Sequence, residues 1–228
     1  VALAFDGEAI WVANAYGNSV TKLARDGTTL GVFSVGRTPV ALAFDGEAIW
    51  VASVGRPSWP LNVVTKLDLD GLRLGIFHVG AEPRALVFDG EAIWVGNVGG
   101  NTLTKLALDG TTLGTFPHGV GPHALAFDGE AIWVANDFDN TVEKLAPNGA
   151  ALGTFPVGRV PRALAFDGKD IWVANGADST ISILSWEGTL LTTFPVGRTP
   201  VALVFDGEDI WVANAEDGTV SKVSMVEE

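Results

Sequence analysis

Short apolar runs bounded by turn residues follow one another along the whole chain, and no stretch sustains the spacing of a helix face. Over residues 1–39 there are four such runs: Ala2–Phe5, Ile10–Ala13, Ser19–Leu23 and Thr29–Val35. Asp6-Gly7 joins the first to the second and Asp26-Gly27 the third to the fourth. Asp-Gly pairs take up positive φ cheaply and favour tight hairpins, so the stretch is predicted to be an antiparallel four-stranded meander. The second run, Ile10-Trp11-Val12-Ala13, has no polar alternation, which predicts a strand covered on both faces.

The same pattern then recurs. The phrase Phe5-Asp6-Gly7 returns at Phe44, Phe88, Phe127, Phe166 and Phe205, with spacings of 39, 44, 39, 39 and 39 residues. The longer spacing comes from an enlarged loop over residues 53–62 (SVGRPSWPLN). Six meanders of this length predict an all-β fold, a six-bladed β-propeller forming one domain over residues 1–228. Its blades are expected at 1–39, 40–83, 84–122, 123–161, 162–200 and 201–228. A β-solenoid is the rival, disfavoured because its coils are shorter and its strands parallel. One tryptophan per copy (Trp11, Trp50, Trp94, Trp133, Trp172, Trp211) is expected to pack between sheets. The sixth copy stops at residues 225–228, after its third strand, so the last blade is expected to lack its outer strand. Such an edge invites pairing with another segment or chain.

Ile10-Trp11-Val12-Ala13-Asn14, Asn18-Ser19-Val20 and Val35-Gly36-Arg37-Thr38-Pro39 resemble the bacterial propeller repeats called YVTN and NHL, and also the blades of the streptogramin (virginiamycin B) lyase group. The resemblance spans all six copies. It implies the fold, and an extracytoplasmic bacterial setting. Lyases of that group hold a magnesium ion with histidine and glutamate at the channel mouth, and their second strands commonly end in an acid. Here that position holds Asn14, Ser53, Asn97, Asn136, Asn175 and Asn214, so no lyase residue is carried over.

Composition narrows the function classes. Fourteen lysines and arginines against 27 acids give a net charge of −13, unsuited to nucleic-acid phosphates or an anionic membrane. The absence of cysteine removes disulfides, thiolate metal sites and a cysteine nucleophile. No apolar run approaches a bilayer span. The chain opens at Val1 with no signal peptide, as a processed product or an excised piece would.

Candidate chemistry lies on one side of each meander. The end that carries the turns joining strands one to two and three to four is monotonous, with Asp-Gly-Glu repeated as at Asp6-Gly7-Glu8 and Asp128-Gly129-Glu130, whereas the loops at the opposite end vary. Six of the eight arginines fall in those variable loops or just after them: Arg37, Arg56, Arg84, Arg159, Arg162 and Arg198. The residue after each loop proline is Val40, Arg84, His123, Arg162 or Val201 and is expected to begin the next inner strand. Arg84, His123 and Arg162 therefore form a candidate electropositive mouth for a small anionic ligand or a protein partner. The competing reading pairs these arginines with loop carboxylates such as Glu82, Asp137 or Asp178. Tyr16, Trp59 and Phe138 are candidate exposed aromatic contacts, and Trp59, between Pro57 and Pro60, can instead pack on its own loop. Lysines recur at one third-strand position (Lys22, Lys66, Lys105, Lys144, Lys222) and read as structural.

No catalytic residue, metal or cofactor is assigned. There is no Gly-x-Ser-x-Gly elbow or phosphate loop, and His118 and His123 with Asp137 and Asp139 match no metal-ligand spacing. Three functional readings follow: a non-catalytic binding scaffold, a metal-dependent lyase or hydrolase of the streptogramin-lyase type using His118, His123 and nearby acids, or a repeat amplified for architecture without an evolved ligand.

Overall fold

The computed structural model describes residues 2–55 and 62–224. They form two compact units, one up to His118 and one from Gly119. The first unit holds three four-stranded sheets. Their strands are β1 (Leu3–Phe5), β2 (Ile10–Asn14), β3 (Ser19–Leu23) and β4 (Thr29–Ser34), then β5 (Pro39–Phe44), β6 (Ala48–Ser53), β7 (Val63–Asp68) and β8 (Arg73–His78). β9 (Pro83–Phe88), β10 (Ala92–Asn97), β11 (Thr102–Ala107) and β12 (Thr112–Pro117) complete it.

The second unit holds β13 (Pro122–Phe127), β14 (Ile132–Asn136), β15 (Thr141–Leu145) and β16 (Ala151–Pro156), then β17 (Pro161–Phe166), β18 (Asp170–Asn175), β19 (Thr180–Ser185) and β20 (Leu190–Pro195). Its last sheet has three strands among the described residues: β21 (Pro200–Phe205), β22 (Asp209–Asn214) and β23 (Thr219–Ser224). Every sheet is an antiparallel meander in chain order, and the six are the blades of a β-propeller.

Two details differ from the sequence reading. A 3-10 turn, Val98–Gly100, stands in the third copy, where two glycines in succession let the loop tighten. In the Asp-Gly turns only the glycine takes positive φ, for example Gly7 at +96°. The aspartate side chain does the turning instead: Asp6 Oδ1 accepts the backbone N–H groups of Glu8 (2.9 Å) and Ala9 (2.6 Å).

The other oxygen of that carboxylate anchors the core. Asp6 Oδ2 accepts the Trp11 indole N–H at 2.7 Å, and the same bond recurs in the other five copies, from Trp50 to Asp45 through Trp211 to Asp206. Above the ring lies the lysine of the third strand; Lys66 Nζ sits 4.8 Å from the Trp50 centroid and 3.5 Å from Asp45 Oδ2. Lys66 then donates to the Leu108 carbonyl of the next sheet. Lys22 and Lys144 likewise donate to the Leu69 and Trp186 carbonyls, so these three lysines are structural, linking one meander to its neighbour. Four of the six tryptophans pack between sheets as expected, among them Trp11 with Val20 against Ile49, Val51 and Leu67 in the first unit and Trp133 with Val142 against Ile171, Val173 and Leu184 in the second, whereas Trp211 is 37% exposed.

The asparagine ending each second strand also ties sheets internally. Asn97 Nδ2 donates to Thr104 Oγ1 at 2.9 Å, and Asn14, Asn175 and Asn214 do likewise with Thr21, Ser182 and Ser221. In the second sheet Ser53 is too short to reach, and both Ser53 Oγ and Thr65 Oγ1 are buried without a hydrogen-bond partner. Ser53→Asn is therefore expected to stabilise the protein by about 1 kcal/mol, raising the thermal midpoint by roughly 2–4 °C in differential scanning calorimetry. An unchanged or lowered midpoint would show that the site cannot admit the amide.

Candidate functional site

The variable loops owe their geometry to one proline per copy. Proline starts each inner strand from β5 onward, where its missing N–H costs no ladder bond. This corrects the expectation that the following residue opens the strand. That following residue instead sits on a β-bulge. Pro122 pairs with Asn136 and Ala124 with Ala135, so the strand register passes over His123. Arg162, Val40 and Val201 are bypassed in the same way. Arg84 falls between the pairs Pro83↔Asn97 and Ala85↔Gly96. A bulge bends its strand and re-aims the extra side chain, so the five most variable inner-strand positions are the five the backbone turns out of register.

The residue before each proline is left-handed: Thr38 (φ 48°), Glu82 (53°), Gly121 (79°), Val160 (56°) and Thr199 (55°). Threonine and valine adopt that conformation only at a cost. Hydrogen bonds hold it in place. Each of these carbonyls accepts the N–H of the residue following the second strand, as from Gly176 to Val160 (2.9 Å) and Ala215 to Thr199 (2.9 Å). In the second unit an aspartate adds a further clamp: Asp139, Asp178 and Asp217 accept the backbone N–H groups of Val120, Arg159 and Arg198 at 2.6, 2.7 and 2.6 Å.

Those clamps decide the fate of two candidate arginines. Arg159 and Arg198 direct Nε onto Asp178 and Asp217 at 2.6 Å each. The arginine backbone N–H and then its guanidinium hold both carboxyls below the usual range. This is the loop-carboxylate pairing that competes with a ligand role. Arg37 borders a cavity of about 350 Å³ with Ile76 and His78. Arg56 and Trp59 lie outside the described residues.

Arg84 differs from them. Its side chain is exposed, and among the described residues no hydrogen bond or ion pair engages it, Glu82 included. It lines a recess of about 580 Å³ in the first unit together with Asn14, Tyr16, Thr38 and Val40. Tyr16 is 99% exposed, with its phenol free to reach whatever enters. A guanidinium, a phenol and an aliphatic wall can together hold a carboxylate on an apolar or aromatic body.

His123 and Arg162 come together in the second unit. Arg162 Nη1 lies 3.0 Å from His123 Nε2, and His123 Nδ1 lies 3.3 Å from the Arg162 carbonyl. Arginine has only donors, so Nε2 accepts and the ring proton sits on Nδ1, facing the carbonyl; the imidazole is neutral in this arrangement. The same Nη1 lies 3.6 Å from Oδ2 of Asp137, whose side chain is 3% exposed. Asp137 Oδ1 has no hydrogen-bond partner. Arg162 thus offsets a buried carboxylate, which leaves less of its charge for a ligand than Arg84 retains. Phe138, the next residue, is exposed and closes over Gly121, where a Cβ would collide with Asp137 Oδ1.

Sequence reasoning missed the bulge and the buried role of Asp137. The available signal for the latter was that only the fourth copy follows its second-strand asparagine directly with an acid, Asn136-Asp137. Among the described residues no group of three or more histidines and acids is placed to hold a metal ion.

No protein-family model and no curated protein sequence matches the chain. Solved structures do. Catalytically inactive virginiamycin B lyase from Staphylococcus aureus, with quinupristin, is 18% identical with a TM-score of 0.81, over 98% of this chain and 80% of that one. A functionally unknown protein from Desulfotomaculum acetoxidans is 18% identical with a TM-score of 0.78, over 96% and 79%. A Bacteroides fragilis protein provisionally described as a 6-phosphogluconolactonase is 18% identical with a TM-score of 0.79, over 99% and 80%. The likeness to streptogramin B lyase-type propellers is therefore one of fold, and no family model supports a YVTN or NHL assignment. Three names on one architecture leave function to the site.

Proposed function

We propose that this chain is a non-catalytic binding protein whose variable-loop recess takes a ligand bearing a carboxylate or similar anion, with Arg84 as the anchoring group. The observation that carries the reading is the Arg84 guanidinium, exposed and unengaged among the described residues beside Asn14 and Tyr16, in a protein of net charge −13. An acidic protein repels anions over most of its surface. A free guanidinium in a recess, set on a bulge that aims it, is the local exception a selective anion site needs.

Isothermal titration with acetate, citrate and inorganic phosphate at low ionic strength tests the proposal. Arg84→Gln is expected to weaken the best-bound probe by about 10- to 100-fold, the worth of a charge-assisted hydrogen bond. Arg25→Gln changes the net charge equally but at the opposite end of its sheet, where Arg25 donates to the Gly7 carbonyl, and is expected to leave binding unchanged. Equal losses in both variants would reduce the effect to bulk charge. Conversion of a bound ligand, lost in His123→Ala, would replace the binding reading with a catalytic one of the kind two of the similar structures are named for.

A further inference from the structure

In five of the six sheets an ammonium group lies over the tryptophan. Nζ of Lys22, Lys66, Lys105, Lys144 and Lys222 is 4.8 to 5.5 Å from the ring centroid of Trp11, Trp50, Trp94, Trp133 and Trp211. In the first four of these sheets the same Nζ is 3.1 to 3.8 Å from the aspartate that accepts the indole N–H. The fifth sheet keeps the ring and the aspartate, Trp172 donating to Asp167 Oδ2 at 2.7 Å, but the residue paired with Trp172 is Ile183. Isoleucine can replace the apolar stem of a lysine on the ring, and it brings no cation.

The same sheet carries one acid more. Asp170 stands where the first four sheets have Ala9, Ala48, Ala92 and Ala131. The sixth sheet makes the same change with Asp209, and there Lys222 answers it, Nζ meeting Asp209 Oδ2 at 2.6 Å. A tryptophan face and this pair of aspartates are thus enough to place an ammonium. Among the described residues Asp170 has only Lys169, 4.0 Å away on a side chain 86% exposed, where an ion pair is worth little. Burial and then the Asp167 carboxylate raise Asp170 above the usual carboxylate range, whereas Lys222 holds Asp209 below it. Asp167 and Asp170 border a recess of about 310 Å³ together with Trp172, Ile183, Phe194 and Val223.

We infer that this recess is a binding site for a small primary alkylammonium, its charged end set between Asp167 and Asp170 and its carbon chain against Trp172, Ile183 and Phe194. The ammonium takes the place that lysine Nζ has in the other five sheets. Its three N–H donors suit two carboxylates, and an indole face beside aliphatic side chains suits a short apolar stem. The site lies at the Asp-Gly end of its sheet and selects a cation, so it stands or falls independently of the Arg84 recess.

The test titrates the whole chain with n-propylammonium chloride at pH 7 and constant ionic strength, following the tryptophan indole N–H resonances by NMR. A saturable shift at Trp172 is expected, with Trp133, already covered by Lys144, unmoved. Asp170→Asn is expected to weaken binding about tenfold, the worth of one charge-assisted hydrogen bond. Ile183→Lys is expected to abolish it by supplying the ammonium from the chain itself. Tetramethylammonium, which has no N–H to donate, is expected to bind about tenfold more weakly or worse. A shift that does not saturate, equal shifts at Trp133 and Trp172, or undiminished binding by Ile183→Lys would overturn the proposal. Tetramethylammonium bound as tightly as propylammonium would overturn it too, by reducing the effect to bulk attraction toward an acidic protein.

Discussion

Asp45→Ala is expected to lower the thermal midpoint by about 10 °C, the largest loss for any single carboxylate considered above. Asp45 is buried, and its two oxygens serve three donors: the backbone N–H groups of Glu47 (2.8 Å) and Ala48 (2.6 Å) and the Trp50 indole (2.8 Å). It also faces Lys66, which spans to the next sheet. Alanine leaves the Ala48 and Trp50 donors buried and unsatisfied at about 1–3 kcal/mol each, and removes the counter-charge of a half-covered ammonium. The sum is on the order of 3–5 kcal/mol, at roughly 2–4 °C per kcal/mol for a chain of this length. Asp45→Asn is expected to fall between, since Oδ1 still accepts from the turn while the amide nitrogen faces the indole N–H donor to donor. Asp206→Ala is the internal control, because its Trp211 partner is partly exposed and water can satisfy the freed donors. Equal losses at Asp45 and Asp206 in urea titrations would show that burial is not the source of the effect.

Acidification is expected to collapse stability below about pH 4, the ordinary range for an aspartate in an unfolded chain. At Asp6, Asp45, Asp89 and Asp128, burial by itself favours the protonated form. The indole N–H, the two turn N–H groups and the lysine outweigh it, holding all four below the usual carboxylate range. Asp206, held first by the Trp211 indole, falls to about 2. Because these groups bind protons more weakly folded than unfolded, their contribution is complete above the unfolded value and is lost as the pH falls toward their folded values. Asp170 runs the other way, raised by burial and then by the Asp167 carboxylate, with Ile183 where a lysine would face it. It favours the folded state in acid, but it stands against these five and against Asp178 and Asp217, which are depressed as well. Urea midpoints measured at pH 7, 5, 4 and 3 are expected to hold level over the first two and then drop steeply. A midpoint unchanged at pH 3 would contradict the depressed carboxyls.

How much of this was legible in the chain follows from how local each feature is. The six copies, their hairpins and the burial of most tryptophans are visible because period, Asp-Gly turns and unbroken apolar runs act over a few residues. Strand limits came within a residue or so, the main difference being proline at the first strand position. Trp211 was grouped with the other five, yet it is the exposed one: Trp11, Trp50, Trp133 and Trp172 lie against the face of the following sheet, and among the described residues no sheet follows the sixth. Exposure of a ring depends on what stands opposite it, and six identical Ile-Trp-Val phrases carry no record of that.

The arginines divide along the same line. Six in or beside the variable loops look alike by position, and composition alone pools them into one electropositive group. The fold separates Arg159 and Arg198, spent on Asp178 and Asp217, from Arg162, leaning on buried Asp137 and His123, and from Arg84, unengaged among the described residues. The amino-acid order by itself determined the repeat, the meander and the end of each sheet where variation collects, since those rest on backbone propensity and apolar periodicity. Only the tertiary structure decided which side chain rides the bulge and which cation meets a carboxylate. Both depend on bringing residues about 15 to 40 positions apart within a few ångströms, a distance that sequence spacing does not encode.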